Sequence, residues 1–73
     1  MTNEPLILII EDEAPIRKFL RSSLEHAGYR FVLAETGQQG LQLAAQQPPD
    51  LVILDLGLPD REGQEVLAQL REW

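Results

Sequence analysis

The sequence contains no cysteine, and this absence excludes several kinds of chemistry. Disulfide bonds, thiolate nucleophiles and cysteine-ligated zinc all require the missing residue. Basic residues are also few and scattered, with six lysines and arginines against twelve acids. With a net charge of −6 and no basic cluster, this segment lacks the positively charged surface that nucleic-acid binding requires.

Long apolar runs are absent as well. The longest run is far shorter than the roughly 20 residues that a membrane-spanning helix needs. Residues 1–5 lack the positive region of a signal peptide. We therefore expect a cytoplasmic location and no membrane contact. A chain of 73 residues has room for one small core, so it forms one domain or part of one.

Hydrophobic periodicity and turn residues predict an alternation of strands and helices. Three segments rich in aliphatic residues predict strands, at 6–10, 29–34 and 51–54. Three segments with apolar residues at helical spacing predict helices, at about 15–27, 37–47 and 62–73. Short connections between such elements produce right-handed parallel crossovers, so we expect an α/β sheet with strand order 2-1-3.

The same spacing predicts which side of each helix faces the sheet. In the first helix a stripe that includes Phe19 is expected to face inward, and Arg17 to face water. In the second helix the inward residues are expected to be Leu41, Ala44 and Ala45.

The second helix also carries opposing local signals. Thr36 with Gln39 three residues later forms a capping box, which favours a helix start. Gly37 and Gly40 each weaken a helix by about 1 kcal/mol relative to alanine. We expect this helix to be the least stable of the three.

Acidic residues follow two strands that are expected to be neighbours. Glu11 and Asp12 follow the first strand, and Asp55 follows the third. Because parallel strands lie about 4.8 Å apart and end at the same edge of a sheet, the three carboxylates should converge on one pocket. Carboxylates so close repel one another unless a cation lies between them, and hard oxygen ligands suit Mg²⁺. The sequence therefore predicts a magnesium site at this edge.

The residues after Asp55 form a specific pattern. Gly57, Pro59, Asp60 and Gly63 follow it with the spacing D-x-G-x-P-D-x-x-G. With the acids after the first strand, this pattern resembles the receiver domain of two-component response regulators. The stretches ILIIEDE, IRKFLR and PDLVILDLGLPD, and the terminal LREW, are most similar to Kdp-type regulators of potassium transport, winged-helix transcription factors of the OmpR class.

The resemblance implies a role for each matched residue. Asp55 would accept a phosphoryl group from a sensor histidine kinase. Asp12 would ligate Mg²⁺ directly, Glu11 through water, and Gly57 through its backbone carbonyl. The aspartyl phosphate would control a DNA-binding output that regulates transcription, of potassium-transport genes in the Kdp type. Such a receiver catalyses its own phosphorylation and is not a turnover enzyme.

The same residues bear on three other functions. A phosphohydrolase with an aspartate nucleophile needs a second acid two residues later, where this chain has Gly57. A nucleotide-binding α/β domain would have a glycine-rich turn after the first strand, where this chain has Glu-Asp-Glu-Ala-Pro. A catalytically incompetent receiver that serves only association stays open. The family uses a Ser or Thr after strand four and a Lys after strand five, and Lys18 on the first helix cannot substitute.

The implied fold is a flavodoxin-like, CheY-like doubly wound parallel sheet, of which residues 1–73 would be the N-terminal part. The rest of the receiver and any DNA-binding output domain would be absent. Segments 6–10 and 51–54 are both apolar enough to be buried on two faces, yet a three-stranded sheet has only one interior strand. We expect strand three to form an exposed edge through which the chain assembles into a dimer or larger species.

Overall fold

Strands and helices alternate along the chain. The computed structural model describes residues 4–55 and 63–71. The elements are β1 (Leu6–Ile10), α1 (Ala14–Ala27), β2 (Arg30–Ala34), α2 (Gly37–Gln46), β3 (Leu51–Leu54) and α3 (Gly63–Arg71). The predicted order of elements is confirmed. The boundaries of β1 to β3 and the start of α3 lie within one residue of their expected positions, and α3 is described as far as Arg71, two residues before its expected end. Across the described ranges no helix has the length and apolar character needed to cross a membrane.

β1 is the central strand of a parallel sheet with the order β2-β1-β3, as the sequence predicted. At its C-terminal end Ile10 pairs with Ala34 on one side and with Leu54 on the other. The ladder continues one step further, because Glu11 N donates to Ala34 O and Asp55 N donates to Ile10 O, each at 3.0 Å. The register therefore brings the residues that follow β1 and β3 to the same edge of the sheet.

The core lies between one face of the sheet and the helices α2 and α3. Its buried residues are Leu8, Ile10, Ala34, Leu41, Ala44 and Val66. Val32 packs against this core, so its neighbour Leu33 points to the opposite face, where it lies beside α1. Helices therefore cover both faces of the sheet.

Gly40 allows α2 to approach β1 closely. A Cβ atom at this position would lie 2.7 Å from Ile10 Cγ1 and would also collide with Ile10 Cδ1. Ile10 is fully buried, so its side chain has little room to move aside. The helix weakness expected from this glycine is thus accompanied by a packing role that helix propensity does not predict.

The inward face of α2 is rotated relative to the prediction. Its buried residues are Gly37, Gly40, Leu41 and Ala44, which follow helical spacing, whereas Ala45 is exposed. The prediction for Ala45 was wrong because the two small glycines, and not a second alanine, line the contact with the sheet.

The predicted capping box at the start of α2 is present in a modified form. Thr36 Oγ1 accepts a hydrogen bond from Gln39 N at 3.1 Å. Gln39 Oε1 accepts from Glu35 N at 2.8 Å, one residue before the usual partner. The cap therefore also holds the residue that follows β2.

α1, which the structure describes along its whole length, contains no fully buried residue. Phe19, expected to face the sheet, is 69% exposed, while Leu20 and Leu24 are half-buried. The expectation for Phe19 was wrong because only part of the apolar stripe contacts the sheet. Arg17, expected to face water, has only 17% of its side chain exposed.

β3 is less buried than its composition predicted. Val52, Ile53 and Leu54 are half-buried, and Leu51 is 55% exposed. Among the described residues β3 has a neighbouring strand on one side only, so the expected burial on both faces is not reached.

Candidate metal centre

Three carboxylates meet at the C-terminal edge of the sheet. Glu11 and Asp12 follow β1, Asp55 follows β3, and one carboxylate oxygen from each lies within 4.8 Å of the others. Glu11 is buried, with 7% of its surface exposed, whereas Asp12 and Asp55 are half-buried. The predicted convergence of these residues is confirmed.

This set of donors suits a small, hard cation. Mg²⁺ binds oxygens at about 2.0–2.1 Å in octahedral geometry, which places neighbouring ligand atoms about 3 Å apart and opposite ones about 4 Å apart. Oxygens within 4.8 Å of one another can reach that arrangement through small side-chain rotations. The partial exposure of Asp12 and Asp55 leaves access for the waters that Mg²⁺ retains.

The cluster perturbs the ionisation of its buried member. Burial raises the pKa of Glu11 above its ordinary value of 4.5. The backbone N–H of Glu13, which donates to Glu11 Oε2 at 3.1 Å, acts in the opposite direction. Side-chain hydrogen bonding with Asp55 and Asp12 raises the pKa of Glu11 further, and so does the negative charge of Asp55, which disfavours a second charge beside it. A bound cation would relieve this repulsion.

Arg17 belongs to the surroundings of this cluster, although its helical position predicted exposure to water. Its Nη1 donates to the backbone oxygens of Glu11 at 3.0 Å and of Asp12 at 2.7 Å. Its Nη2 lies 2.9 Å from Glu35 Oε1. A helical side chain leans toward the N-terminus of its helix, so an arginine one turn after an acidic loop was the signal that could have indicated these contacts.

Other predicted positions are absent from this cluster or fall outside the described residues. Gly57, Pro59 and Asp60 lie outside the described residues, so the placement of the Gly57 carbonyl stays a prediction. Lys18 and His26 are exposed on α1 and take no part in the cluster.

Residues 7–73 match the family model of the response regulator receiver domain. The chain belongs to this family. The receiver is 56% identical over 73 residues to the KDP operon transcriptional regulatory protein KdpE of Escherichia coli K12, covering 100% of the chain and 31% of that relative. It is 52% identical over 68 residues to the transcriptional regulatory protein KdpE of Mycobacterium tuberculosis H37Rv, covering 93% of the chain and 30% of the relative. The predicted similarity to Kdp-type receivers is confirmed, and the chain spans about 30% of these relatives.

Solved structures confirm the CheY-like fold. A CheY-like receiver domain protein from Methanospirillum hungatei superposes with a TM-score of 0.93 at 31% identity, covering 96% of this receiver and 56% of that chain. The response regulator TrrA of Thermotoga maritima, solved in complex with Mg²⁺-BeF, has a TM-score of 0.88 at 37% identity, covering 93% of this receiver and 59% of that chain.

Proposed function

We propose that residues 1–73 are the N-terminal part of a phosphoacceptor receiver domain in which Asp55 accepts a phosphoryl group from the phosphohistidine of a sensor histidine kinase. A carboxylate oxygen of Asp55 forms the new O–P bond, the P–N bond breaks, and the kinase histidine is the leaving group. The observation that carries this proposal is the cluster of Glu11, Asp12 and Asp55 at the C-terminal edge of the sheet. An aspartate ordinarily ionised near neutral pH needs no general base to attack phosphorus. The reaction therefore depends on positioning the donor and neutralising its charge.

Each residue around Asp55 has its own role in binding the ion. Asp12, whose carboxylate lies beside that of Asp55, would ligate Mg²⁺ directly, and the buried Glu11 would contact the ion through water. Gly57, two residues after Asp55 in the sequence, would contribute its backbone carbonyl, as the family resemblance implies. When bound, the ion neutralises charge on the carboxylates and on the incoming phosphoryl group. The related receiver TrrA was solved in complex with Mg²⁺-BeF, which supports Mg²⁺ as the ion at this site.

The relatives extend the proposal to the whole protein. Both KdpE relatives are named as transcriptional regulators, and this chain matches about 30% of each. We infer that phosphorylation at Asp55 controls a DNA-binding output outside residues 1–73 and thereby regulates potassium-transport genes in the cytoplasm. The receiver acts as a switch and not as a turnover enzyme.

A phosphorylation assay tests the role of Asp55. A chimera in which residues 1–73 replace the matching part of E. coli KdpE supplies the rest of the receiver. With a small acyl-phosphate donor and Mg²⁺, intact mass should show one added phosphoryl group. Asp55→Asn should accept none. The matched control Asp50→Asn, at the other end of β3, keeps an acceptor for Leu6 N and should be labelled normally.

The 73-residue chain alone should give little stable product, because the hydroxyl and lysine groups that the family places after strands four and five are missing. Labelling of the Asp55→Asn chimera would refute the proposed site. Full labelling of the 73-residue chain would instead show that the lysine matters less than proposed.

A further inference from the structure

Arg17 joins two loops at the acidic edge of the sheet. One is the β1–α1 loop, residues 11–13, whose first two backbone carbonyls accept hydrogen bonds from Nη1. The other begins at Glu35, directly after β2, whose carboxylate pairs with Nη2. The guanidinium thus contacts the backbone of both candidate ligands from β1 without occupying the carboxylate cluster itself.

Arg21, one turn later on α1, shows what an ordinary surface arginine does in this chain. Its Nε pairs with Glu25 Oε1 at 3.1 Å, and both side chains are more than half exposed. Such exposed pairs contribute little to stability, because water and salt screen them. Arg17 differs because it is largely buried and because two of its three partners are backbone carbonyls.

The two carbonyl contacts hold the backbone from which the carboxylates of Glu11 and Asp12 extend. Fixing the oxygens of Glu11 and Asp12 fixes the two peptide planes on either side of Asp12. The direction of the Asp12 Cα–Cβ bond follows from those planes. On its other side Glu11 is held by the hydrogen bond from its N–H to Ala34 O, so the direction of its Cα–Cβ bond is fixed by Arg17 and β2 together. Glu35, whose side chain is 65% exposed, contributes less, because a screened ion pair holds the arginine only weakly.

We propose that Arg17 is a positioning residue for the metal centre and raises its affinity for a divalent cation by holding the β1–α1 loop. This inference rests on the proposed function, because it requires the acidic cluster to bind a metal. The sign of the change in metal affinity distinguishes this role from an electrostatic one. A nearby positive charge acting only through space would weaken cation binding, so positioning and simple electrostatics predict opposite effects of removing the charge.

Direct metal titration distinguishes the two. Mn²⁺ serves as the probe, with the free ion counted by electron paramagnetic resonance on the 73-residue chain. Arg17→Gln and Arg17→Lys should each bind about tenfold more weakly, the low end of the effect of losing a group that orients a metal ligand. Lysine keeps the charge but loses the fork that reaches both loops. The matched control Arg21→Gln should bind like the unsubstituted chain.

Thermal unfolding of the same proteins without metal separates positioning from folding. Positioning predicts that the Arg17 variants retain the helical circular dichroism signal and lose metal affinity. Loss of the fold in both Arg17 variants would make the residue structural and overturn the inference. Unchanged binding in both variants, or tighter binding in Arg17→Gln, would also overturn it while leaving the metal centre intact. No Mn²⁺ binding by the unsubstituted chain would remove the metal centre itself, and this inference with it.

Discussion

Glu11 is the one buried carboxylate among the residues that the structure describes, and it links stability to pH. Because burial raises its pKa above 4.5, the folded state holds a proton more tightly than the unfolded state. Between 4.5 and the raised pKa, the folded chain therefore binds more protons. The contribution of Glu11 to the free energy of unfolding falls as the pH rises through that window and is most favourable below it.

Replacing Glu11 by glutamine should stabilise the folded chain, whereas most substitutions of buried residues destabilise it. Glu11→Gln keeps an oxygen for the Glu13 N–H and removes the buried charge. In metal-free buffer it should raise the free energy of unfolding near neutral pH, and the gain should shrink below pH 4.5, where Glu11 is protonated in both states. Urea unfolding across this pH range measures the difference.

Two controls accompany this experiment. Glu25→Gln removes an exposed carboxylate from α1 and should change stability little at any pH. Mg²⁺ should stabilise the unsubstituted chain more than Glu11→Gln, because a ligand that binds the folded state raises its stability. Equal unfolding free energies for Glu11→Gln and the unsubstituted chain at every pH would contradict the role given to burial.

At the scale of elements, the contact between α2 and β1 depends on the absence of a side chain. If helix propensity alone decided the outcome, Gly40→Ala should raise the free energy of unfolding by about 1 kcal/mol. The new Cβ would instead press on the buried Ile10 side chain, and overpacking costs about 1–3 kcal/mol. We therefore expect Gly40→Ala to lower the free energy of unfolding, measured by urea denaturation.

A double variant identifies the contact responsible. Ile10→Val removes Cδ1, so Gly40→Ala should cost less in that background than in the unsubstituted chain. The control is Gln42→Ala, at an exposed position of the same helix. Its free energy of unfolding should differ from that of the unsubstituted chain by no more than about 0.5 kcal/mol. A stabilised Gly40→Ala protein would show that Ile10 moves aside at little cost.

At the scale of the whole molecule, β3 lies at an edge of the described sheet. A parallel strand with a neighbour on one side presents unpaired backbone groups on the other, and an apolar edge of that kind recruits further strands. α1 offers a second apolar surface around Phe19. We expect the 73-residue chain to form a dimer or larger assembly through the β3 edge.

Two lysine substitutions separate these surfaces. Leu51→Lys places a charge on the exposed start of β3 and should shift the chain toward monomer, since edge lysines oppose strand addition. Phe19→Lys alters the α1 surface and should leave the assembly unchanged. Sedimentation at micromolar concentration measures both. A stable monomer of the unsubstituted chain would refute the predicted assembly, and a monomer produced only by Phe19→Lys would assign it to α1.

The sequence by itself determined the order of the elements, the strand order and the meeting of Glu11, Asp12 and Asp55. These features depend on local patterns. Aliphatic segments define strands, and acids directly after two such segments must reach the same edge once the strands pair in parallel. The spacing of glycine and proline after Asp55 was specific enough to identify the family, which residues 7–73 match.

Only the tertiary structure decided how each helix is rotated and what its side chains touch. Periodicity classed Arg17 as a water-facing residue, yet its guanidinium reaches backbone carbonyls five and six residues earlier. Helix propensity predicted that Gly40 weakens α2, yet Ile10 occupies the space that a side chain at this position would need. The spacing of apolar residues predicted that Phe19 faces the sheet, yet its side chain is mostly exposed. In each case the outcome depends on which atoms from another segment lie nearby, and a pattern within one segment does not contain that information.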